Sequence, residues 1–251
     1  MYETVKGLVI REAVFGEADK LIDLLTENGV RTVRVRGARK QGSKYAAVTQ
    51  VFSYGEFCLR QSSGRYYLDS AVSLSSFYGL RGRLEALALA AYFSELVRRT
   101  ATDQPQPQIL RLFLISLHYL SEQMRPDAQI KAVFELRLIS ELGMMPDLVC
   151  CPVCMRWLPP EPILRLDRAD MTCADCWQPN ERNDLPVTPS ALQAVRHAVY
   201  SDFERLYAFR VSGESLRLFA VYAETYVLRR TENAYPTLHF YRQITGTDDT
   251  E

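Results

Sequence analysis

The chain has 251 residues, of which 47% are hydrophobic and 24% are charged, and its 30 basic and 30 acidic residues give a formal net charge of +0. These values are ordinary for a chain that buries a core, and they exclude a largely disordered protein. Because the total charge is neutral, a charged binding surface has to be sought segment by segment.

No segment predicts a membrane crossing or a secretory signal. The most apolar stretch, 84–97, contains Glu85 and Glu95 and is shorter than the roughly 20 apolar residues that a helical span needs. Residues 1–10 lack a basic region followed by an apolar core and a small-residue cleavage site. We therefore expect a cytoplasmic protein, in which the six cysteines stay reduced and are candidates for metal binding.

The first seventy or so residues predict a small β-domain. Short runs rich in Val, Ile, Tyr and Phe are separated by turn signals such as Asn28-Gly29. The expected strands are 5–14, 20–26, 30–36, 47–59 and 65–68. Five strands in this length fit an OB-fold barrel, and a small sandwich fits about as well. The run 20–26 also fits a short helix.

From about Ser73 the apolar residues recur at helical spacing. Helices are expected around 80–93 and at 109–124, 128–142, 189–200 and 214–230. The sequence thus predicts an α+β protein, a small barrel followed by an all-helical domain with an insert. The expected boundaries are 1–72 for the barrel, 73–149 and 180–240 for the helical domain, 150–179 for a cysteine-rich insert, and 241–251 for a flexible tail.

The cysteine-rich segment, 150–179, predicts a metal site. Cys151 and Cys154 form one pair with a two-residue gap, Cys173 and Cys176 form another, and eighteen residues separate the pairs. Such a gap lets both thiolates turn toward one ion, and two pairs complete a tetrahedron. Four thiolates leave no open position, so the predicted zinc ion is structural. Disulfides or simple burial are the alternatives, and Cys150 can replace Cys151 through a three-residue gap.

Basic residues are concentrated in the predicted barrel. Eight of them lie between Arg31 and Arg65, and Glu56 is the only acid in that span, which gives a local net charge of +7. Strand alternation places Arg34 and Arg36 on the face of the strand opposite to that of Val33. The predicted DNA-binding residues, which we call the basic face, are Arg34, Arg36, Arg39, Lys40, Lys44, Arg60 and Arg65.

Tyrosines accompany these cations and are predicted to stack on bases; they are Tyr45, Tyr54, Tyr66 and Tyr67. The alternative is that the cations solvate an exposed strand face while the tyrosines fill the barrel.

The sequence contains no recognisable catalytic motif. Residues 37–44 have the glycine spacing of a phosphate-binding P-loop, but the order is Gly-Ser-Lys and a strand is expected to follow. His118, His197 and His239 lie in no recognisable metal or nucleophile motif, and no nucleophile elbow or dinucleotide fingerprint occurs. We expect a protein without catalytic turnover.

The segments 7–11, 15–21, 36–40 and 50–57 resemble successive N-terminal motifs of the RecO family. In the helical part, the segments 134–138 and 146–148, with Gly143 between them and the first cysteine pair after them, follow in the family's order. The resemblance covers roughly residues 4–176. Two departures are Met155, where the family often has Gly after the first cysteine pair, and 168–172, which replace a Gly-rich approach to the second pair.

This resemblance implies an N-terminal OB-fold, a helical domain and a zinc-binding element. It also implies a bacterial recombination mediator in DNA repair that binds single- and double-stranded DNA and anneals complementary strands. Together with RecR, such a protein loads RecA onto single strands coated by SSB, captures the SSB C-terminal tail, and associates with the nucleoid during repair. A tail-binding groove is expected where basic and apolar residues adjoin, as at Arg111 or Arg137. A zinc-dependent nucleic-acid enzyme and a protein scaffold built on the zinc element are the alternatives.

Overall fold

The computed structural model describes residues 1–100, 105–178 and 184–247. Its N-terminal part is a closed five-stranded barrel with the strand order β1-β2-β3-β5-β4. The strands are β1 (Tyr2–Phe15), β2 (Asp19–Thr26), β3 (Gly29–Val35), β4 (Tyr54–Ser62) and β5 (Arg65–Ser75). Strand β1 pairs with both β2 and β4, so the barrel is confirmed and the sandwich alternative is wrong. The short-helix alternative for 20–26 is also wrong, because these residues form β2.

The core of the barrel follows from strand alternation. Val33 and Val35 are fully buried, whereas Arg34 is half-buried and Arg36 is exposed, as the sequence predicts. The buried residues that fill the barrel are Val9, Ile22, Leu24, Val33, Val35, Ala38, Val48, Phe57, Leu59 and Leu68. The basic residues of β3 are therefore held outward by a rigid apolar interior.

One predicted strand begins later than expected. Residues 47–53 form turns, and β4 starts only at Tyr54. The hydroxyl of Thr49 donates to the Tyr45 carbonyl at 2.7 Å and that of Ser53 donates to the Ala47 carbonyl at 3.1 Å. These local bonds compete with strand pairing. The segment still contributes Val48 to the barrel core.

Six α-helices occur in the described part of the chain: α1 (Leu84–Thr100), α2 (Pro107–Ser121), α3 (Asp127–Glu141), α4 (Pro189–Tyr200), α5 (Gly213–Thr231) and α6 (Pro236–Thr245). Helix α4 starts as predicted, because Thr188 Oγ1 accepts a hydrogen bond from the Ala191 N–H and Pro189 occupies the first turn. None of the helices in this part combines the length and apolar character that a membrane crossing requires.

Helix α6 corrects the expected tail at 241–251. It continues to Thr245, because Leu238 and Tyr241 on one side of the helix are buried. Residues 248–251 lie outside the described residues.

The described residues form two compact units, one from Met1–Glu122 and Tyr235–Glu251 and one from Gln123–Ala234. In the first unit, α6 packs on α1. The N–H and the hydroxyl of Thr237 both donate to Glu95 Oε2, at 3.1 and 2.5 Å. The expected helical domain, 73–149 and 180–240, therefore has residues in both units, with 180–183 outside the described residues.

In the second unit, α3 packs against α4 and α5. A three-stranded sheet lies within and after the cysteine-rich segment, with the order β7-β6-β8. Its strands are β6 (Pro162–Arg165), β7 (Asp170–Cys173) and β8 (Asp184–Pro186). This sheet is not predicted by the sequence pattern, because its strands have only three or four residues.

Candidate metal centre and nucleic-acid interface

The β6–β7 hairpin brings the two cysteine pairs together. Strand β7 ends at Cys173, which faces Pro162 of β6 in the ladder. The first pair lies in a tight turn, in which the Met155 N–H donates to the Cys151 carbonyl at 2.9 Å. The sulfur atoms of Cys151, Cys154, Cys173 and Cys176 all lie within 4.8 Å of one another, and we call them the cysteine cluster.

The sulfur geometry of the cysteine cluster fits a tetrahedral zinc ion. The Sγ of Cys173 lies 3.5 Å from that of Cys154 and 3.8 Å from that of Cys151. Zinc–sulfur bonds of about 2.3 Å in a tetrahedron separate the sulfurs by about 3.8 Å. All six cysteines are free thiols. The Sγ of Cys150 lies beside Met155 Sδ, at 3.8 Å, and it is Cys151 that joins the cluster.

Hydrogen bonds within the cysteine cluster lower the pKa of Cys151 and raise that of Cys176. Burial raises the pKa of Cys151, but hydrogen bonds from the Thr172 hydroxyl and from the backbone N–H groups of Cys154, Cys173 and Val153 outweigh burial and lower it to about 5. The pKa of Cys176 is raised to about 12, first by its hydrogen bond with the Cys173 thiol and then by desolvation. Negative charge therefore gathers first on Cys151, and a cation that binds all four sulfurs must displace the remaining protons.

The two departures from the RecO pattern share a backbone feature. Met155 and Ala169 have φ angles of 59° and 56°, in the left-handed region that favours glycine. Met155 closes the first cysteine turn, and Ala169 lies in the turn between β6 and β7. The loop therefore keeps a conformation suited to glycine without having glycine at either position.

A buried arginine that sequence reasoning missed ties the cysteine-rich segment to α4. Arg196 donates to the carbonyls of Leu148 at 2.7 Å, Val149 at 3.0 Å and Trp157 at 2.6 Å. The sequence pattern could have indicated its burial, because Arg196 falls on the apolar side of α4, at helical spacing from the buried Leu192.

On the barrel, strand pairing collects part of the basic face around one tyrosine. Tyr67 of β5 pairs with Arg34 of β3 on one side and with Arg60 of β4 on the other. The guanidinium carbons of Arg36 and Arg60 each lie 5.0 Å from the centroid of the Tyr67 ring. Residues far apart in sequence thus form one group.

Two other tyrosines, Tyr66 and Tyr45, follow the same pattern, and stacking of bases on these rings stays a prediction. Arg31 lies over the Tyr66 ring at 5.0 Å. Lys44 Nζ lies 4.9 Å from the centroid of Tyr45, whose hydroxyl donates to the Asp69 carbonyl at 2.6 Å. The aromatic rings therefore position cations at these places.

Acids from outside the segment 31–65 neutralise part of its charge. Arg34 forms an ion pair with Asp19 at 2.7 Å, and Arg31 forms one with Glu3. The pKa of Asp19 is lowered, first by the hydrogen bond from the Gly37 N–H and then by that from Arg34. Sequence reasoning missed both acids because they lie on or beside other strands.

The remaining cations of the basic face are placed as follows. Arg39 is exposed, and its Nη1 donates to the Glu17 carbonyl at 3.1 Å. Arg60 is half-buried beside Tyr67. Exposed positions are held by Arg36, Lys40, Lys44 and Arg65. The face thus keeps several cations at the surface after its ion pairs are formed.

Comparison with known proteins covers both parts of the chain. Residues 1–77 match the family described as Recombination protein O N terminal, and residues 81–238 match the one described as Recombination protein O C terminal.

Several relatives, each described as DNA repair protein RecO, match over most of their length. The protein of Acetivibrio thermocellus is 31% identical over 97% of both chains. That of Symbiobacterium thermophilum is 32% identical over 94% of this chain and 95% of its own. That of Bacillus subtilis is 32% identical over 82% of this chain and 80% of its own. Since the matches span the barrel, the helices and the cysteine cluster, the chain belongs to the RecO family of DNA repair proteins.

Proposed function

We propose that this chain is a DNA-binding recombination mediator that works without catalytic turnover. It binds single- and double-stranded DNA, anneals complementary strands and, together with RecR, loads RecA onto single strands coated by SSB. Membership of the RecO family supports the general role in recombination repair.

The observation that carries the DNA-binding proposal is the group formed by Arg36, Tyr67 and Arg60. A cation held against an aromatic ring loses less side-chain freedom on binding than a free one, so binding costs less entropy. Lys40 and Lys44, in the turns that follow β3, add exposed cations. Contacts of this kind reach phosphates and carry no base identity, so the proposed binding is independent of DNA sequence.

The cysteine cluster is proposed to hold a structural Zn²⁺. When bound, the ion supplies four bonds that cross-link the first cysteine turn to the end of β7. The chain's own contribution is to hold four sulfurs at nearly tetrahedral spacing and to favour a thiolate at Cys151. A four-sulfur shell is coordinatively filled, which favours a structural over a catalytic role for the ion.

Fluorescence anisotropy with labelled single- and double-stranded DNA over a salt series tests this proposal. We expect both forms to bind, and the affinity to fall steeply as salt rises. A folded protein that binds neither form would favour the scaffold alternative. Incubation of labelled DNA with protein and divalent metals tests the enzyme alternative, which predicts cleavage.

The proposed partners besides DNA are RecR and the C-terminal tail of SSB, and the proposed location is the cytoplasm, at the nucleoid during repair. Of the two arginines considered for the tail, Arg137 is engaged within its own unit. Its Nε donates to Glu141 at 2.7 Å and its Nη1 to the Ser201 carbonyl at 2.7 Å. Calorimetry with a tail peptide tests tail binding, and absence of binding at low salt would contradict it.

A further inference from the structure

The second unit contains a cavity of about 920 Å³ that the proposed function does not use. It is lined by Val149, Trp157 and Leu158 on either side of the first cysteine turn, by one side of α4, and by residues 209–212 and Ser215 at the start of α5. Among the described residues that line it are Arg196, His197 and Arg210, and none is acidic. The lining therefore complements an anionic ligand.

Arg196 gives this cavity a buried positive charge. The residue is 6% exposed, and the acceptors it meets are the backbone carbonyls described above. Within the described residues, its Nη1 has no hydrogen-bond partner. Burial lowers the pKa of the guanidinium.

The walls combine an aromatic surface with the starts of two helices. Trp157 is 56% exposed, and the guanidinium of Arg196 lies 4.8 Å from the centroid of its ring. Ser190 in the first turn of α4 and Ser212 before α5 also line the cavity. Helix starts present backbone N–H groups that favour phosphate, and an indole backed by a cation suits a stacked base.

We propose that this cavity binds one or two nucleotides of single-stranded DNA, with a base on the indole of Trp157 and a phosphate near Arg210. The inference rests on the proposed DNA binding and adds a second DNA site, in a different unit from the basic face. An alternation of aromatic and phosphate-binding surfaces favours a nucleotide over an acidic peptide. A protein that holds a strand at each of two sites raises the effective concentration of one strand near the other, which is what annealing needs.

Tryptophan fluorescence tests the inference directly, since the chain has only two tryptophans, Trp157 and Trp177. In the full-length Trp177→Phe protein, titration with oligothymidine is expected to quench Trp157 emission saturably, about twofold. Arg210→Ala should raise the DNA concentration for half-quenching about tenfold, because it removes a charged phosphate contact. Arg217→Ala is the charge-matched control on α5: Arg217 is paired with Glu214 outside the cavity lining, and its loss should leave the quenching unchanged.

A second measurement needs no substitution: an oligonucleotide carrying iododeoxyuridine should cross-link to Trp157 in the unmodified protein. Anisotropy on the same samples separates this inference from the proposed function. DNA binding by anisotropy without quenching or cross-linking would overturn the inference and leave the proposed function standing. Quenching by an acidic peptide but not by DNA would assign the cavity to a protein partner and overturn it as well. Absence of DNA binding by anisotropy would overturn both proposals.

Discussion

The guanidinium of Arg36, which directly follows β3, lies 5.0 Å from the centre of the Tyr67 ring of β5. Arg60 approaches the same ring at the same distance from β4. One tyrosine therefore orients two cations of the basic face, and its contribution to the proposed DNA binding is expected to come from the ring and not from the hydroxyl.

Replacing Tyr67 with Leu is expected to weaken DNA binding about fivefold, since a cation–π contact contributes about 1 kcal/mol. Tyr67→Phe, the matched control, keeps the ring and should bind like the unmodified protein. Anisotropy at fixed salt measures both. Equal losses in the two variants would show that the hydroxyl, and not the ring, matters.

Replacing Arg39 and Lys40 with Ala is expected to weaken binding across all sequences. The slope of log affinity against log salt on single strands should become shallower by about 1.4, at about 0.7 per phosphate neutralised. Both side chains are exposed, so thermal stability should barely change. Circular dichroism checks folding. An unchanged slope in a folded variant would move the DNA site away from this turn.

Replacing Cys151 and Cys154 with Ser is expected to remove one zinc ion per chain and lower the melting temperature. Metal analysis and calorimetry measure these two effects. DNA binding by the basic face should persist, because that face belongs to the other unit. Protein purified without chelator that contains no zinc would contradict the structural role.

Zinc affinity is expected to rise with pH. The ion needs Cys176 as a thiolate, and the pKa of its free thiol is raised to about 12, so binding at neutral pH releases a proton. Cys151, whose pKa is lowered to about 5, adds a further proton dependence only below that pH. Competition with a chromogenic chelator between about pH 6 and pH 8 measures the trend. A flat profile would argue against thiolate ligation by Cys176.

Replacing Met155 with Gly is expected to stabilise the protein by about 0.5–1 kcal/mol. Relief of a left-handed conformation gains about 1–2 kcal/mol, and the added freedom of the unfolded chain offsets part of that gain. Ala174→Gly is the control, because Ala174 begins a short 3₁₀ helix and should lose stability. Thermal unfolding of both variants is the measurement. A loss in the Met155 variant would mean that contacts of its side chain outweigh backbone strain.

The sequence predicted what depends on local periodicity. Alternation placed Val33 inside and Arg36 outside, and the two-residue gaps predicted which four cysteines come together. The sequence did not predict contacts that depend on residues far apart in the chain. The pairing of Asp19 with Arg34 depends on strand register, and the burial of Arg196 depends on which carbonyls meet α4. Residues 47–53 look like a strand by composition, but turn hydrogen bonds such as that of Thr49 prevail.

Helix α6 belongs to the first unit, although the whole second unit precedes it in the chain. During synthesis the barrel, α1 and α2 therefore emerge from the ribosome first, and α6, which packs on α1, emerges last. Until then Glu95 lacks Thr237, and the Tyr92 ring lacks Tyr235, which lies 5.8 Å from it in the finished fold. The second unit can complete its folding before the first. A nascent chain arrested after Ala234 should show a protease-resistant second unit and an exposed α1.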